Sequence, residues 1–207
     1  MSEINVPLPL LGSLLFSMMG PIALLPLFAQ TTAAANTVLR RKIAVLAGLF
    51  AFGTLAVAVF VGTSVMASAG TSRSSLIIAA GLILFITALK NVFGGASKSE
   101  PSPPAPTTAL AMMPLAIPGI VTPMGVAILI LFSSYFPSFP ERLAILGVVG
   151  GIMFANVGAM LGAHWFMRVI GPVPLIILGA IFGVLQAAMG IEMIMSGLKL
   201  SGFFLPR

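Results

Sequence analysis

The chain has 207 residues, of which 59% are hydrophobic and 7% are charged, and its mean hydropathy is +1.17. A soluble domain carries roughly 25% charged residues, so this composition excludes a domain exposed to water on all sides and indicates a membrane protein. Ten Lys and Arg outnumber four Glu, but they are spread over short loops without a continuous basic face, which excludes a nucleic-acid-binding surface, and the lack of Cys excludes disulfides and zinc–thiolate sites.

Apolar segments recur along the chain and predict six transmembrane helices. A helix that crosses a hydrocarbon core of about 30 Å needs roughly 20 residues. The predicted helices 1 to 6 are Leu8–Phe28, Ile43–Ala67, Leu76–Phe93, Thr108–Phe132, Leu143–Met167 and Pro174–Leu198. Almost no sequence remains for a soluble domain, so an all-α membrane protein that sits in the lipid bilayer is predicted.

A polar, proline-rich stretch at 96–107 separates the third helix from the fourth. Its composition predicts a flexible linker with extended character. The linker divides the chain into two three-helix halves, residues 1–95 and 108–207. Because each half has an odd number of spans, the second half is expected to run inverted relative to the first.

Matching residues in the two halves favour an internal inverted repeat. Pro21 and Pro26 in helix 1 have the same spacing as Pro118 and Pro123 in helix 4, and the two pairs lie 97 residues apart. Helices 3 and 6 match at a shift of 102 residues, which pairs their glycines and sets Lys90 against Glu192. The prediction is therefore two inverted three-helix repeats.

Basic residues in the loops predict how the chain is oriented. One side of the predicted membrane carries Arg40, Arg41, Lys42, Lys90, Lys98 and Arg168, and the other carries Arg73, Arg142, Lys199 and Arg207. The positive-inside rule places the richer side in the cytoplasm. The linker is then cytoplasmic, and both termini are periplasmic in a bacterial inner membrane.

The proline pairs are expected to break helices 1 and 4, at Gly20–Pro26 and at Pro118–Pro123. Proline in a helix interior removes a hydrogen bond and clashes with the preceding turn, at about 3 kcal/mol or more. Unpaired backbone groups cannot face lipid, so an unwound turn must lie in protein or line a polar cavity. Matched interruptions in inverted halves indicate a transporter's binding site, whereas a single proline more often kinks a helix for packing.

Such breaks favour a neutral, dipolar solute. A helix that restarts after Pro21 or Pro118 presents N–H groups to a carboxylate, and the opposing helix end presents carbonyls to an ammonium group or a cation. The predicted solute is a small neutral amino acid or a similar polar molecule. The candidate substrate-binding residues are Gly20, Pro21, Pro26, Pro118, Gly119, Thr122 and Pro123, with Thr122 adding a hydroxyl.

Few other polar residues lie within the spans. Glu192 is a candidate proton or sodium site, and the alternative is an interfacial residue that reaches water. Asn91, Asn156 and Gln186 are amides within the spans, and interhelical hydrogen bonding is expected for all three. No Asp, no Cys and one His leave no catalytic triad or metalloprotease motif, so we expect neither an enzyme nor a cofactor beyond coupling to H⁺ or Na⁺. The alternative to a transporter is a non-transporting membrane scaffold or accessory protein.

Several of these motifs resemble those of the MarC family of bacterial membrane proteins. The stretch Met19–Phe28 resembles the family's first-helix motif, Arg40–Lys42 matches its basic loop, and Met113–Pro118 followed by Pro123 resembles its fourth-helix motif. The resemblance implies a six-helix fold of the lysine-exporter superfamily, periplasmic termini and transport of neutral amino acids such as glycine and alanine.

The chain also departs from the family's pattern at three positions. Gly20 replaces the usual Asn before Pro21, Thr122 replaces a Gly before Pro123, and Leu39 stands where the loop usually has Glu. The Asn side chain is a natural ligand or cap at the first break, so its replacement bears directly on the site.

Overall fold

The computed structural model describes residues 8–93, 107–170 and 172–203, which form helices and contain no β-strand. The helices are α1 Leu8–Met19, α2 Pro21–Thr31, α3 Thr37–Ser68, α4 Arg73–Phe93, α5 Pro123–Tyr135, α6 Phe139–Ile170 and α7 Pro172–Leu200. The all-α prediction is therefore confirmed. Of the predicted linker, Thr107 alone is among the described residues. Lys98 and Arg207 also lie outside the described residues.

Polar caps start α3 and α6 earlier than hydropathy predicts. The side chain of Asn36 accepts a hydrogen bond from the backbone N–H of Leu39 at 2.8 Å and caps α3. Before α6, Glu141 accepts from the backbone N–H of Ser138 at 3.1 Å and from its hydroxyl at 2.6 Å, and the first of these bonds is one half of a capping box. Both helices consequently have 32 residues.

The first predicted helix is broken at a single residue. Gly20 has an extended backbone, with φ −73° and ψ 165°, between the end of α1 and Pro21 at the start of α2. A residue before proline is driven out of the α region, and proline in the first helical position loses no hydrogen bond that the helix would make. The predicted extension of this break to Pro26 is wrong, because α2 continues through Pro26.

The fourth predicted helix is broken as expected, but it is irregular over a longer stretch. A 3₁₀ turn at Thr108–Ala111 leads into the irregular segment, which we define as Met112–Ile120, and α5 begins at Pro123. Within the irregular segment Met113 and Ile117 are extended, and the Met113–Pro114 peptide is cis. Each extended residue precedes a proline. A continuous helix from Thr108 to the break is therefore the wrong prediction.

Two pairs of matching helices in the two halves begin at the same spacing. The starts of α2 and α5, at Pro21 and Pro123, are 102 residues apart, and the starts of α3 and α6, at Thr37 and Phe139, are also 102 residues apart. The helix starts therefore support a shift of 102 residues, and the predicted pairing of Pro21 with Pro118 is wrong. Pro21 corresponds to Pro123, and Gly20 corresponds to Thr122.

The chain forms two compact units. The first unit comprises Met1–Thr63 with Ala105–His164, and the second comprises Ser64–Pro104 with Trp165–Arg207. Each unit therefore contains segments from both sequence halves. The first unit has an apolar core whose largest fully buried side chains include Leu15, Leu24, Phe28, Ile43, Leu55, Leu115, Ile120, Leu129, Ile145 and Met160.

In the second unit α4 and α7 pack closely through glycines. A Cβ atom on Gly81 would lie 2.7 Å from the carbonyl oxygen of Gly190, and one on Gly197 would lie 3.0 Å from that of Ser74. Later residues of α7 thus meet earlier residues of α4, so the two helices run antiparallel. Small residues permit this approach, as at other interfaces between membrane helices.

The long helices bury many small residues and also expose large apolar ones. The buried stripe of α3 includes Ala44, Ala47, Gly48, Ala51, Ala58 and Gly62, whereas Leu49, Val57 and Val65 are exposed. On α6, Phe154 is 84% exposed. An exposed apolar surface of this kind is matched to lipid. Among the described residues, the helices long and apolar enough to cross a membrane are Thr37–Ser68, Arg73–Lys90 and Phe139–Val169.

Candidate functional site

The first helix break is held by a side chain from α6. The Nδ2 atom of Asn156 donates a hydrogen bond to the carbonyl oxygen of Met19 at 2.8 Å. Met19 is the last residue of α1, so this bond satisfies one of the carbonyls that a helix end leaves without an intrahelical partner. Asn156 is fully buried. Its Oδ1 atom is also buried and accepts no hydrogen bond from the described residues.

The second helix break is held by its own residues. Thr122 has an extended backbone and caps α5, because its hydroxyl oxygen accepts from the backbone N–H of Gly125 at 3.1 Å. Pro123 occupies the first position of α5. Just upstream, the backbone N–H of Val121 donates to the carbonyl of Ala116 at 2.8 Å. The start of α5 therefore has a side-chain cap, whereas no side chain caps α2.

The two breaks lie against each other within the first unit. The sulfur of Met19 covers Gly125, where an added Cβ would lie 2.6 Å from it. On the other side, Leu27 of α2 lies beside Gly119, whose Cβ would be 3.3 Å from the Leu27 Cδ2 atom. Consistent with both contacts, α1 packs on α5 and α2 packs on the irregular segment.

The surroundings of the breaks are apolar and uncharged. Leu24, Leu25, Val121 and Met124 are buried beside them. Residues 8–39 and 107–140 contain no Asp, Glu, Lys, Arg or His. A full charge buried here would lack a partner and would carry a large desolvation penalty. The site is therefore suited to dipoles and hydrogen bonds rather than to a net charge.

Most of the predicted site residues come together at these two breaks. Gly20 and Pro21 form the first, Thr122 and Pro123 form the second, and the backbone of Pro118 and Gly119 belongs to the irregular segment. Pro26 lies within α2 and is half-buried. Glu192 belongs to the second unit, on an exposed position of α7.

The backbone around position 20 leaves no room for a side chain, which accounts for a glycine where the family motif has Asn. A Cβ atom at this position would overlap the carbonyl oxygen of Phe16, a backbone atom that cannot rotate away. The break as folded here therefore requires glycine. The amide that contacts the break comes instead from Asn156, 137 residues further along the chain.

Asn156 is the site residue that sequence reasoning did not place at the break. Its interhelical hydrogen bond is confirmed, but the partner is the broken end of α1 rather than another polar side chain. One signal was available, because Asn156 is the only amide or charged residue between Arg142 and His164 in a segment dominated by apolar and small residues. No spacing rule connects it to Met19.

The arrangement lends itself to binding a small dipolar molecule. It combines an uncapped helix N-terminus, a buried amide oxygen and a threonine hydroxyl in an apolar setting. No group of three or more His, Cys, Asp or Glu that could hold a metal ion occurs in the described part of the chain.

Comparison with known proteins identifies the family. The model of the MarC family of integral membrane proteins matches residues 9–201. Curated relatives include the membrane protein YhcE of Escherichia coli K12 (25% identical; 89% of this chain and 88% of the relative) and the inner membrane protein YhgN of the same strain (29%; 90% and 93%). The inner membrane protein MarC of Salmonella arizonae is 26% identical over 88% of this chain and 90% of its own. No solved structure matches. The chain belongs to the MarC family of integral membrane proteins.

Proposed function

We propose that the protein is a six-span inner-membrane transporter, built from two inverted three-helix repeats, that binds a small neutral amino acid between the broken helices 1 and 4. The observation that carries this proposal is the pair of adjoining helix breaks in an uncharged, buried part of the first unit. Backbone interrupted at membrane depth is tolerated where it is covered by protein or lines a cavity, and transporters use such interruptions as binding sites.

Equivalent contacts in the first unit support the inverted repeat. Adding 102 to one residue of a contact and subtracting 102 from the other exchanges the two halves. The contact between Gly62 and Ile130 becomes one between His164 and Phe28, and those two rings lie edge to face, 6.2 Å apart. In the same way, the packing of α1 on α5 becomes the packing of the irregular segment on α2.

The second unit supports the same exchange. The approach of Gly81 to Gly190 corresponds to that of Gly183 to Ala88, whose carbonyl oxygen would lie 3.8 Å from an added Cβ. The contact of Gly183 with Val92 likewise corresponds to that of Gly81 with Ile194. Because α4 and α7 are antiparallel, helices that correspond in the two halves run in opposite directions, as an inverted repeat requires.

The positions of the breaks support a site near the middle of the membrane. Gly20 is preceded by the 12 residues of α1 and followed by the 11 residues of α2. Each half-helix is about 16–18 Å long at about 1.5 Å per residue, so neither crosses a core of about 30 Å alone. The second break lies between Thr108–Ile120 and the 13 residues of α5, which is the same arrangement.

Transport of labelled glycine and alanine into reconstituted vesicles tests the proposal. We expect uptake above that of protein-free vesicles under a proton or a sodium gradient, and we expect Pro118→Ala and Thr122→Val to change it. If the parent protein moves neither amino acid under either gradient, amino acid transport is the wrong function, and a non-transporting scaffold becomes the better account. Transport that neither substitution alters would move the site away from the second break.

The orientation is tested separately with a reporter fused after Arg207. The excess of basic residues on the side of Arg40–Lys42 favours periplasmic termini. We therefore expect a reporter that is active in the periplasm to function at this position. Activity of a cytoplasmic reporter at the same position would reverse the proposed topology without bearing on the binding site.

A further inference from the structure

Of the two polar atoms in the buried amide of Asn156, the nitrogen makes a hydrogen bond within the described residues and the oxygen does not. Its Nδ2 faces the carbonyl oxygen of Met19. That carbonyl only accepts hydrogen bonds, so the nitrogen must be the atom that faces it and the oxygen must point elsewhere. The Oδ1 atom is fully buried and has no donor among the described residues. A buried acceptor without a donor is destabilising, and buried polar atoms are rarely left so.

Helix α2, which begins beside Asn156, has the opposite shortage: its first N–H donors have no side-chain acceptor from the N-cap residue. Gly20 offers no side chain, so no side chain caps α2. The first N–H groups of an α-helix have no intrahelical acceptor, and Pro21 has no N–H. The donors at this helix start are consequently those of Ile22 and Ala23, together with the positive end of the helix dipole. They require an acceptor, and the N-cap residue Gly20 has no side chain to supply one.

We infer that Asn156 Oδ1 receives the α-ammonium group of the transported amino acid, while the N–H groups of Ile22 and Ala23 receive its α-carboxylate. This assignment rests on the proposed function and narrows the substrate class to molecules with a free ammonium group next to a carboxylate. It also assigns the charged ends of the substrate to the first break. The second break, where Thr122 already caps α5, needs no such ligand.

The dimensions of an α-amino acid fit this assignment. Oδ1 and Nδ2 of Asn156 share one carbon, so Oδ1 lies within about 5 Å of the Met19 carbonyl oxygen. In an α-amino acid the nitrogen and the carboxyl carbon are separated by two bonds of about 1.46 and 1.52 Å. Both groups can then be bound within one helical turn of the break.

Two substitutions at Asn156 separate a binding role from a purely structural one. Asn156→Leu removes both polar atoms, whereas Asn156→Asp removes the donor to Met19 but keeps an acceptor for an ammonium group. If Asn156 only holds the end of α1, Asn156→Asp is impaired at least as much as Asn156→Leu, because its buried carboxylate would face the Met19 carbonyl without a partner. If Oδ1 binds the ligand, we expect Asn156→Leu to weaken glycine binding by about tenfold or more, as for loss of a hydrogen bond to a charged group, and Asn156→Asp to retain most of it.

The measurement is the half-saturation concentration for glycine, from thermal stabilisation of the purified full-length protein and from uptake into vesicles. Ser133→Ala is the matched control, because the Ser133 hydroxyl is also buried without a partner but lies ten residues along α5 from Pro123. We expect this variant to bind glycine like the parent. Glycine binding by the Asp variant that is no stronger than that by the Leu variant would overturn the inference.

Substrate analogues test the same point in the parent protein, without any variant that might fail to fold. Acetate has the carboxylate of glycine without its ammonium group, and trimethylglycine has the positive charge without an N–H donor. We expect glycine to compete with labelled alanine and both analogues to compete at least about tenfold more weakly. Competition by acetate equal to that by glycine would overturn the assignment of Oδ1. If the parent neither binds nor moves glycine or alanine, the proposed function itself fails, and the inference fails with it.

Discussion

The two helix breaks occupy corresponding positions, 102 residues apart, but they are stabilised in different ways. At the second break Thr122 caps the helix that follows it, using its own hydroxyl. At the first break Gly20 has no side chain, and a distant residue, Asn156, supports the helix that precedes it. At the second break, the stabilising hydrogen bond therefore comes from an N–H at the start of the half-helix that follows. At the first break, it goes to a carbonyl at the end of the half-helix that precedes.

Two residues of the long helices that lie 102 positions apart, Thr54 and Asn156, also differ in their hydrogen-bond partners. Thr54 of α3 is the counterpart of Asn156, and its hydroxyl donates to the carbonyl of Phe50 in its own helix at 2.9 Å. Asn156 instead reaches across to α1 and leaves an acceptor unused. In the proposed inverted repeat, one break is thus held by its own residues, and the other has a buried acceptor without a donor among the described residues.

The largest expected effect comes from adding a side chain at the first break. Gly20→Ala and Gly20→Asn both place a Cβ atom against the Phe16 carbonyl oxygen. Because backbone must move to relieve the overlap, we expect a destabilisation of roughly 1–3 kcal/mol or more, with transport lost. The measurement is the yield and melting temperature of detergent-solubilised protein.

The matched control for Gly20 is Gly147→Ala in α6. A Cβ atom there would contact nothing within 4 Å, and alanine is favoured over glycine in a helix by roughly 0.5–1 kcal/mol. We expect Gly147→Ala to be neutral or stabilising. A folded and fully active Gly20→Asn variant would contradict the claim that this break requires glycine.

A smaller effect is expected at the second break. Thr122→Val removes the cap on α5 while keeping the shape of the side chain, and the loss of an N-cap destabilises by roughly 0.5–2 kcal/mol. Thr122→Ser keeps the hydroxyl and should be close to the parent. Melting temperatures of both variants, compared with Thr54→Val as a control outside the breaks, would decide. Equal stability of Thr122→Val and the parent would contradict the capping role.

The smallest effect on transport is expected at Pro26. Because α2 is continuous through this residue, Pro26→Ala restores a backbone donor within an intact helix and removes a ring that disfavours helical packing. We expect equal or greater thermal stability and unchanged glycine uptake. Loss of uptake with retained stability would return Pro26 to the binding site and would extend the first break beyond Gly20.

Local chemistry allowed much of the fold to be predicted from the sequence. Long apolar runs located α3, α4, α6 and α7 to within a few residues, and the errors at the starts of α3 and α6 arise because Asn36 and Ser138 extend the helices through polar turns. The prolines located both breaks. They did not reveal how far each break extends, because the residue before proline is disfavoured in a helix but not forbidden there, and Leu25 remains helical.

The tertiary part of the site was not predictable in the same way. The bond from Asn156 to Met19 joins residues 137 positions apart, and no local pattern encodes that distance. The spacing of the proline pairs also favoured a shift of 97 residues, since identical residues are easier to match than a glycine with a threonine. The helix starts give 102 instead, because the element that recurs is an extended residue followed by proline, whatever side chain the extended residue carries.

The length of α3 and α6, 32 residues each, relates the geometry of the first break to the thickness of the bilayer. At about 1.5 Å per residue, 32 residues extend about 48 Å, which exceeds both the hydrocarbon core of about 30 Å and the roughly 40–45 Å that includes the headgroup layers. A membrane helix longer than its bilayer tilts or bends. Asn156 lies near the middle of α6, so we expect the strength of its bond to Met19, and with it the geometry of the first break, to depend on the acyl-chain length of the surrounding lipids.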